Sequence, residues 1–239
     1  MSEPLILHIE TATDICSVAV SQGEEMLALV ESGAERSHAT LLNRFIREAC
    51  GIAGKDLKQM DAIAVSKGPG SYTGLRIGVS TAKGLAYSLN IPLLSCGTLE
   101  SMAHSAIHHP EVKDLIKKYG DQLLLCPMLD ARRMEVYTAF FSPDCDVTRE
   151  VAAEIIDETS FAGLLEKHQI CFFGNGSAKC REVLTHSNAF FIEDLNPSSG
   201  AMIKPVLRRF KLSEFEDVAY FEPFYLKDFV ATTPRKKML

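Results

Sequence analysis

The sequence predicts an α/β protein built of two lobes, each a mixed β-sheet with flanking helices. Its first half alternates apolar runs of strand length with amphipathic helical runs, and it opens on three strands in succession. Its second half opens in the same way, on two strands joined by a short turn, and then continues into further α/β units. We therefore expect a duplicated architecture, although the two halves show no strong sequence self-similarity.

Three short apolar runs predict the opening strands, at 5–10, 17–20 and 24–31. A helix is expected over 37–50, because its apolar residues fall on one side and its charged residues on the other. The following apolar and amphipathic runs continue the alternation of strands and helices. They predict strands at 62–66 and 93–96 and helices at 72–88 and 98–106.

The stretch 62–87 is the most informative part of the chain. A short apolar run leads into a glycine-rich segment at 68–74 and then into a helix of small residues, which predicts strand, tight loop and helix. Glycine has no Cβ, so a ligand or a neighbouring backbone can come close. Within the helix, small residues recur every four positions and form a smooth ridge. Two interpretations stay open, a tight contact inside one domain and a docking face for a second subunit. The ridge residues are Gly74, Gly78, Ala82 and Ala86.

The second lobe is expected to begin after the polar stretch 108–120. Its elements are strands at 123–129, 135–141 and 170–173 and helices at 161–168 and 199–210. Asp130 and Arg132, in the turn between the first two strands, are interpreted as a clasp of that hairpin. The expected lobes span 1–107 and 108–213, and a last segment, 214–239, is expected to pack back on the first lobe.

Composition excludes several classes of protein. With a net charge of −6 there is no broad basic field, which disfavours unaided nucleic-acid binding. The seven cysteines include no CxxC pair, which is typical of buried thiols in a reducing cytosol. No apolar run approaches the roughly 20 residues that span a bilayer. We therefore expect a cytoplasmic protein without a membrane partner.

Four motifs resemble those of one known family. They are IETATDICSVAV at 9–20, GPGSYTGLRIG at 68–78 with AKGLA at 82–86, LDARRMEVY at 129–137, and PFYLK at 223–227. By these motifs the chain is similar to the TsaB (also YeaZ) family, within the wider class of actin-like, sugar-kinase-like two-lobed folds. The resemblance extends from residue 5 to about residue 235.

The resemblance implies a function as well as a fold. Members of this family are the non-catalytic scaffold partners of the larger paralogue TsaD, which with the ATPase TsaE installs threonylcarbamoyladenosine next to the anticodon of tRNA. We accordingly expect a homodimer in isolation and contact with tRNA only through the complex. The alternative is a nucleotide-dependent transferase or ATPase that works from the cleft between the lobes.

The expected partner and dimer interface is a seam formed by the helices at 37–50 and 72–88. Arg76 is either an ordinary surface arginine or the partner of a carboxylate on the second subunit. The residues assigned to this interface are His38, Leu41, Leu42, Phe45, Gly74, Arg76, Gly78, Ala82 and Ala86.

No catalytic residue and no metal site are expected. TsaD-like sequences carry a His-x-x-x-His metal pair after an Ile-Pro strand, and here Thr98 and Met102 stand in those positions. Neither replaces imidazole as a ligand for iron or zinc. His104, His108 and His109 leave two interpretations open, a displaced metal site and a solvated helix end.

The nucleotide site of this fold class is expected to survive only as a remnant. Glu10, Thr11 and Asp14 lie in the turn that holds metal-bound phosphate in such folds, and Gly174 and Gly176 in the turn that holds adenosine. The chain has no Walker motif. No cofactor is expected, and a weak or partner-dependent ATP or ADP site stays open as an alternative.

Overall fold

The computed structural model describes residues 3–32 and 38–226. Ten strands and six α-helices lie in these ranges. The strands are β1 (Leu5–Glu10), β2 (Cys16–Gln22), β3 (Glu25–Ser32), β4 (Ala62–Gly68), β5 (Leu93–Gly97), β6 (Leu123–Asp130), β7 (Glu135–Phe141), β8 (Val147–Ile155), β9 (Gln169–Phe173) and β10 (Ala189–Ile192). The helices are α1 (His38–Ala53), α2 (Tyr72–Leu89), α3 (Thr98–Ala106), α4 (Pro110–Tyr119), α5 (Ala162–Leu165) and α6 (Ile203–Lys211).

The strands form two five-stranded sheets with the same topology. The first has the order β3-β2-β1-β4-β5, and the second has the order β8-β7-β6-β9-β10 when read in the same direction. In each sheet the first three strands along the chain are antiparallel neighbours, and the last two run parallel to the central one. The structure therefore confirms the predicted fold class, a two-lobed α/β fold with a mixed sheet in each lobe.

Helices α1 and α2 cover one face of the first sheet. The two helices contact each other, and their apolar side chains join those of the sheet in one buried cluster. Leu42, Phe45 and Ile46 enter it from α1, and Val79 and Ala82 enter it from α2. The corresponding places in the second lobe hold only the four-residue α5 and a three-residue 3-10 helix at Ala178–Cys180.

Helices α3 and α6 each pack on the sheet of the other half of the chain. Leu99 of α3 lies in a buried cluster with Leu125 of the second sheet. Val206 of α6 lies in another with Ile6 and Leu94 of the first sheet. The two lobes are thus joined by a pair of exchanged helices, while the exact lobe bounds along the chain stay a prediction.

Most predicted elements are confirmed, and three were missed. The stretch 108–120, expected to be irregular, contains α4, whose Val112, Leu115 and Ile116 pack on the second sheet and whose first residue is Pro110. Strands β8 and β10 were also missed, because strands at the sheet edges bury too few side chains to show an alternating pattern. The predicted helix at 161–168 shortens to α5, and the one at 199–210 begins as a 3-10 helix before α6. Ser37, the expected start of α1, lies outside the described residues.

The segment after α6 runs along the first lobe as far as the described chain reaches. The amide of Glu216 donates to the carbonyl of Leu93 at 2.8 Å, and that of Phe224 donates to Lys67 at 2.7 Å. The ammonium of Lys83 on α2 donates to the carbonyls of Ala219 and Phe221, at 3.1 and 2.8 Å. The remainder of the predicted 214–239 segment, with Lys227 of the PFYLK motif, lies outside the described residues.

All seven cysteines are buried as free thiols, as the sequence predicts. In residues 3–32 and 38–226, no helix combines the length and the apolar character needed to cross a membrane.

Candidate functional site

The small-residue ridge of α2 faces into the molecule. A Cβ built on Gly74 would overlap the carbonyl oxygen of Thr11, and one built on Gly78 would overlap the hydroxyl of the same residue. Ala82 and Ala86 are buried in the core of the first lobe. The ridge is therefore an internal contact that lets α2 lie directly on the turn after β1, which is the first of the two interpretations of this pattern.

The structure corrects the orientation assigned to both helices. Leu41, Leu42 and Phe45 of α1 point to the first sheet and are at most 2 % exposed. An amphipathic helix on a sheet buries its apolar stripe, so this stripe is not available to a second subunit. Whether the helix pair docks a partner stays a prediction, but these side chains do not form its surface. The residues so corrected are Leu41, Leu42, Phe45, Gly74, Gly78, Ala82 and Ala86.

The two other residues assigned to the interface lie at its margins. His38 is half-buried at the start of α1, and its Nε2 lies 2.6 Å from the carbonyl oxygen of Thr13. Arg76 is exposed on α2, with its guanidinium 4.0 Å from the centre of the Tyr72 ring. Its Nε donates to the hydroxyl of Tyr225 at 3.3 Å, so its nearest partners are two tyrosines of the same chain.

A second row of residues, four apart, covers the outer side of α2. Each of them is exposed, and a Cβ built on Gly84 would meet nothing within 4 Å. Two large apolar side chains are exposed on the same helix pair, Ile52 at 60 % and Tyr87 at 82 %. We call the row the outer face of α2, and it consists of Arg76, Ser80, Gly84 and Ser88. The signal that could have located it is polarity, since of the two small-residue rows the outer one carries the arginine and the serines.

A cleft with a volume of about 530 Å³ lies between the lobes. The first lobe contributes the turn after β1 and the start of α2, and the second lobe contributes the turn after β6. Residues of the C-terminal segment close one side. Its polar and aromatic lining includes Thr13, Asp14, Ser71, Tyr72, Asp130, Arg132, Tyr137, Asn175 and Tyr225.

Glu10 is wholly buried at the end of β1, behind the cleft lining. Its Oε1 accepts the amide hydrogen of Ala12 and the hydroxyl hydrogen of Ser66, both at 2.6 Å. Its Oε2 and the hydroxyl of Thr11 have no hydrogen-bond partner among the described residues. Burial raises the pKa of Glu10 to about 7, although those hydrogen bonds act in the opposite direction.

The turn after β6 is held by polar groups. Lys179 forms an ion pair with Asp130 and donates to the carbonyls of Arg133 and Glu135, both at 2.6 Å. Asp130 also accepts the amide hydrogen of Arg132 at 3.1 Å. The predicted clasp of this hairpin therefore exists, but its cation is Lys179, which the sequence analysis missed, instead of the Arg132 side chain.

The five residues of the expected nucleotide remnant are only partly brought together. Asp14 lines the cleft, whereas Glu10 and Thr11 are buried and do not. Gly174 and Gly176 pack closely on β6, because a Cβ on either would overlap its backbone. Asn175 between them is the member of that turn which lines the cleft. Nucleotide binding stays a prediction.

Comparison with known proteins identifies the family. Residues 29–234 match the family described as "TsaD: tRNA N6-adenosine threonylcarbamoyltransferase". The chain belongs to this family, on its TsaB/YeaZ branch. A TsaB protein of Haemophilus influenzae, described as a tRNA threonylcarbamoyladenosine biosynthesis protein, is 32% identical over 137 residues, 57% of this chain and 53% of that protein.

Further TsaB/YeaZ proteins support this placement. The Escherichia coli K12 protein of the same description is 34% identical over 139 residues, 58% of this chain and 55% of that one. The chain thus spans about half the length of the curated relatives it matches. The structure of YeaZ from Pseudomonas aeruginosa shares the fold, with a TM-score of 0.77, 23% identity and coverage of 93% of this chain and 100% of that one.

The place of the TsaD-like metal pair does not fit a metal. Thr98 and Met102 are buried, and the Met102 methyl packs where a Cβ on Gly174 would lie. The hydroxyl of Thr98 has no partner among the described residues. Within the described ranges, no group of three or more His, Cys, Asp or Glu side chains is arranged to hold a metal ion.

Proposed function

We propose that this protein is a non-catalytic subunit in threonylcarbamoyladenosine biosynthesis, which docks onto a TsaD-type partner through α1 and α2. TsaE completes the assembly, and tRNA is reached through the partner. The names of the Haemophilus influenzae and Escherichia coli relatives support the pathway. Because the match covers about half of those relatives, both activity and partners belong to the proposal.

The observation that carries the docking role is the outer face of α2. Side chains that are absent or short let a second helix approach closely along a row of residues four apart. Gly84 lies in open space at the middle of this row, and Tyr87 beside it exposes a large apolar surface. A helix whose inner row is small, and whose outer row is small from Ser80 to Ser88, can pack on its own sheet and on a partner at once.

The non-catalytic role is supported by the residues at the metal-pair positions. A threonine hydroxyl is a weak neutral ligand, and a thioether prefers soft metals to iron or zinc. In this chain both side chains are buried, and Met102 packs against the turn that contains Gly174. The chemistry would then belong to the partner, which keeps its histidines.

The same face accounts for self-association. A surface that fits a paralogue with an equivalent helix pair also fits a second copy of itself about a two-fold axis. We therefore expect a homodimer when the partner is absent, and competition between the homodimer and the heterodimer.

Replacing Gly84 with leucine tests this proposal. The change fills the open space on the outer face, so it weakens binding to the TsaD-type partner and to a second copy by at least about tenfold. The measurement is sedimentation velocity of the purified chain, alone and with the partner. Gly163→Leu is the matched control, because Gly163 also lies in open space on a helix, but in the second lobe.

Association of Gly84→Leu with unchanged affinity would contradict this docking face. The alternative function, an enzyme acting from the interlobe cleft, is tested separately by calorimetric titration with ATP and magnesium. Micromolar binding with turnover by the isolated chain would favour that alternative. Reconstituted tRNA modification that proceeds equally well without this chain would contradict the subunit role.

A further inference from the structure

The turn between β1 and β2, residues 11–14, lies between the docking helices and the interlobe cleft. Its inner side packs against α1 and α2, and its outer side lines the cleft through Ala12, Thr13 and Asp14. One short segment therefore touches both of the features described above.

The turn and α2 are packed too closely to leave room for any additional atom between them. The backbone of Ala12 and Thr11 lies so close to Gly70 and Gly74, and the hydroxyl of Thr11 so close to Gly78, that a methyl group would not fit at any of these glycines. In addition, the amide of Ser71 donates to the carbonyl of Ala12 at 2.6 Å. Close-packed groups of this kind cannot shift independently, so a displacement of the start of α2 moves the turn with it.

His38 makes the corresponding contact from α1. The carbonyl oxygen of Thr13 can only accept, so Nε2 of His38 carries the hydrogen in their 2.6 Å bond. Nδ1 is buried without a partner among the described residues. The imidazole ring also lies against the position of a Cβ on Gly74, at 3.1 Å from its Cδ2 atom. The His38 side chain thus connects the start of α1 to both α2 and the turn.

We infer that the 11–14 turn is a relay between the two features, with His38 as its positioning residue. Docking on α1 and α2 restrains the turn through His38 and the glycine contacts, and the turn sets the position of Asp14 on the cleft wall, across from Arg132 of the second lobe. The inference rests on the proposed docking function and adds to it a consequence inside this subunit.

Hydrogen exchange measures the relay directly. In the wild-type chain, docking of a TsaD-type partner or a second copy is expected to slow exchange of the Ala12 and Ser71 amides by at least about fivefold. Sedimentation velocity on the same samples establishes that the complex is fully formed. Exchange in the second-lobe turn at 130–135 serves as the internal reference.

Variants at position 38 then test the positioning role. At saturating partner, His38→Ala loses most of the docking-dependent slowing at Ala12, whereas His38→Gln, whose amide can still donate to Thr13, retains it. His168→Ala is the matched control, a half-buried histidine in the second lobe whose Nδ1 is likewise buried without a partner in the described structure.

Two results would overturn the inference while leaving the docking proposal intact. They are a fully formed wild-type complex in which exchange at Ala12 and Ser71 is unchanged, and full retention of the slowing in His38→Ala. Failure of the wild-type chain to associate at all would overturn both. The wild-type comparison decides the matter even if His38→Ala does not fold.

Discussion

The two lobes repeat one strand order but carry different helices. In the first lobe, the sheet face is covered by α1 and α2, which are 16 and 18 residues long. In the second lobe, the corresponding connections hold helices of four and three residues. There the sheet face is closed by an aromatic cluster, in which the ring of Phe161 contacts those of Phe140 and Phe172. Among the described residues, only the first lobe has on this sheet face long helices that also present a second side to solvent.

Despite this difference, each lobe has a similar loop after its fourth strand. The fourth strand of each lobe leads into a G-x-G-S sequence, at 68–71 and at 174–177, and both loops begin with a glycine in the left-handed region, with φ of 108° and 98°. Each loop donates an amide hydrogen to the opening hairpin of its lobe, from Ser71 to Ala12 and from Gly176 to Met128. The hairpin turn of the first lobe, after β1, packs against the glycines of α2. The hairpin turn of the second lobe, after β6, is held by the ammonium of Lys179. Three substitutions test this contrast.

Gly78→Leu should have the largest effect. Its side chain would collide with Thr11 in a close-packed contact, so the free energy of unfolding falls by roughly 3 kcal/mol or more. Urea denaturation followed by circular dichroism measures it. Gly84→Leu, six residues further along the same helix, should change stability by less than about 1 kcal/mol, because its space is open and glycine is the poorer helix former.

Equal stability of the two variants would mean that the inner row of α2 is no more closely packed than the outer row. The fold would then need a different packing of α2 on the turn after β1.

Glu10→Gln should show an effect that grows with pH. Burial raises the folded-state pKa of Glu10 from 4.5 to about 7, so the folded protein holds this proton more tightly than the unfolded chain does. The resulting stability is present below pH 4.5 and is lost as pH rises through 7, by up to about 3 kcal/mol. Glutamine does not ionise, so the free energy of unfolding of the variant should rise relative to that of the wild type between pH 5 and 8, as measured by urea denaturation.

The neighbouring His8, whose pKa burial lowers to about 3, is present in both proteins and cancels in this difference. A difference between wild type and variant that does not change with pH would show that Glu10 is not buried as a carboxyl group beneath the first-lobe turn.

Lys179→Met should have the smallest effect of the three. It removes the ammonium that joins Asp130 to two carbonyls of the second-lobe turn, in a partly exposed setting, at a cost of about 1 to 2 kcal/mol. Added salt should lower the stability of the wild type toward that of the variant, because salt screens the ion pair. Lys113→Met, on an exposed part of α4, is the control and should stay within about 0.5 kcal/mol. A loss as large as that of Gly78→Leu would remove the contrast between the lobes.

Much of the fold was predictable because it depends on local patterns. Apolar runs located β1, β4, β7 and β9 closely, and the glycine loop located the start of α2. Edge strands β8 and β10 escaped because they bury few side chains, and burial is what produces an alternating pattern. Helix α4 escaped although Val112, Leu115 and Ile116 recur at helical spacing, because charged residues outnumber apolar ones in this stretch. Lys179 escaped for another reason, since its partner Asp130 is distant in sequence.

The location of the candidate site depends on which face of α2 is buried, and residue spacing alone does not show this. Residues four apart define a helix face, and the sequence by itself determined that α2 has a small-residue face and the chain two lobes with duplicated sheets. Only the tertiary structure decided that Gly74 and Gly78 face Thr11 while Gly84 faces solvent. Periodicity encodes which side chains lie together on a helix, but the side that is buried is chosen by the surface on which the helix packs.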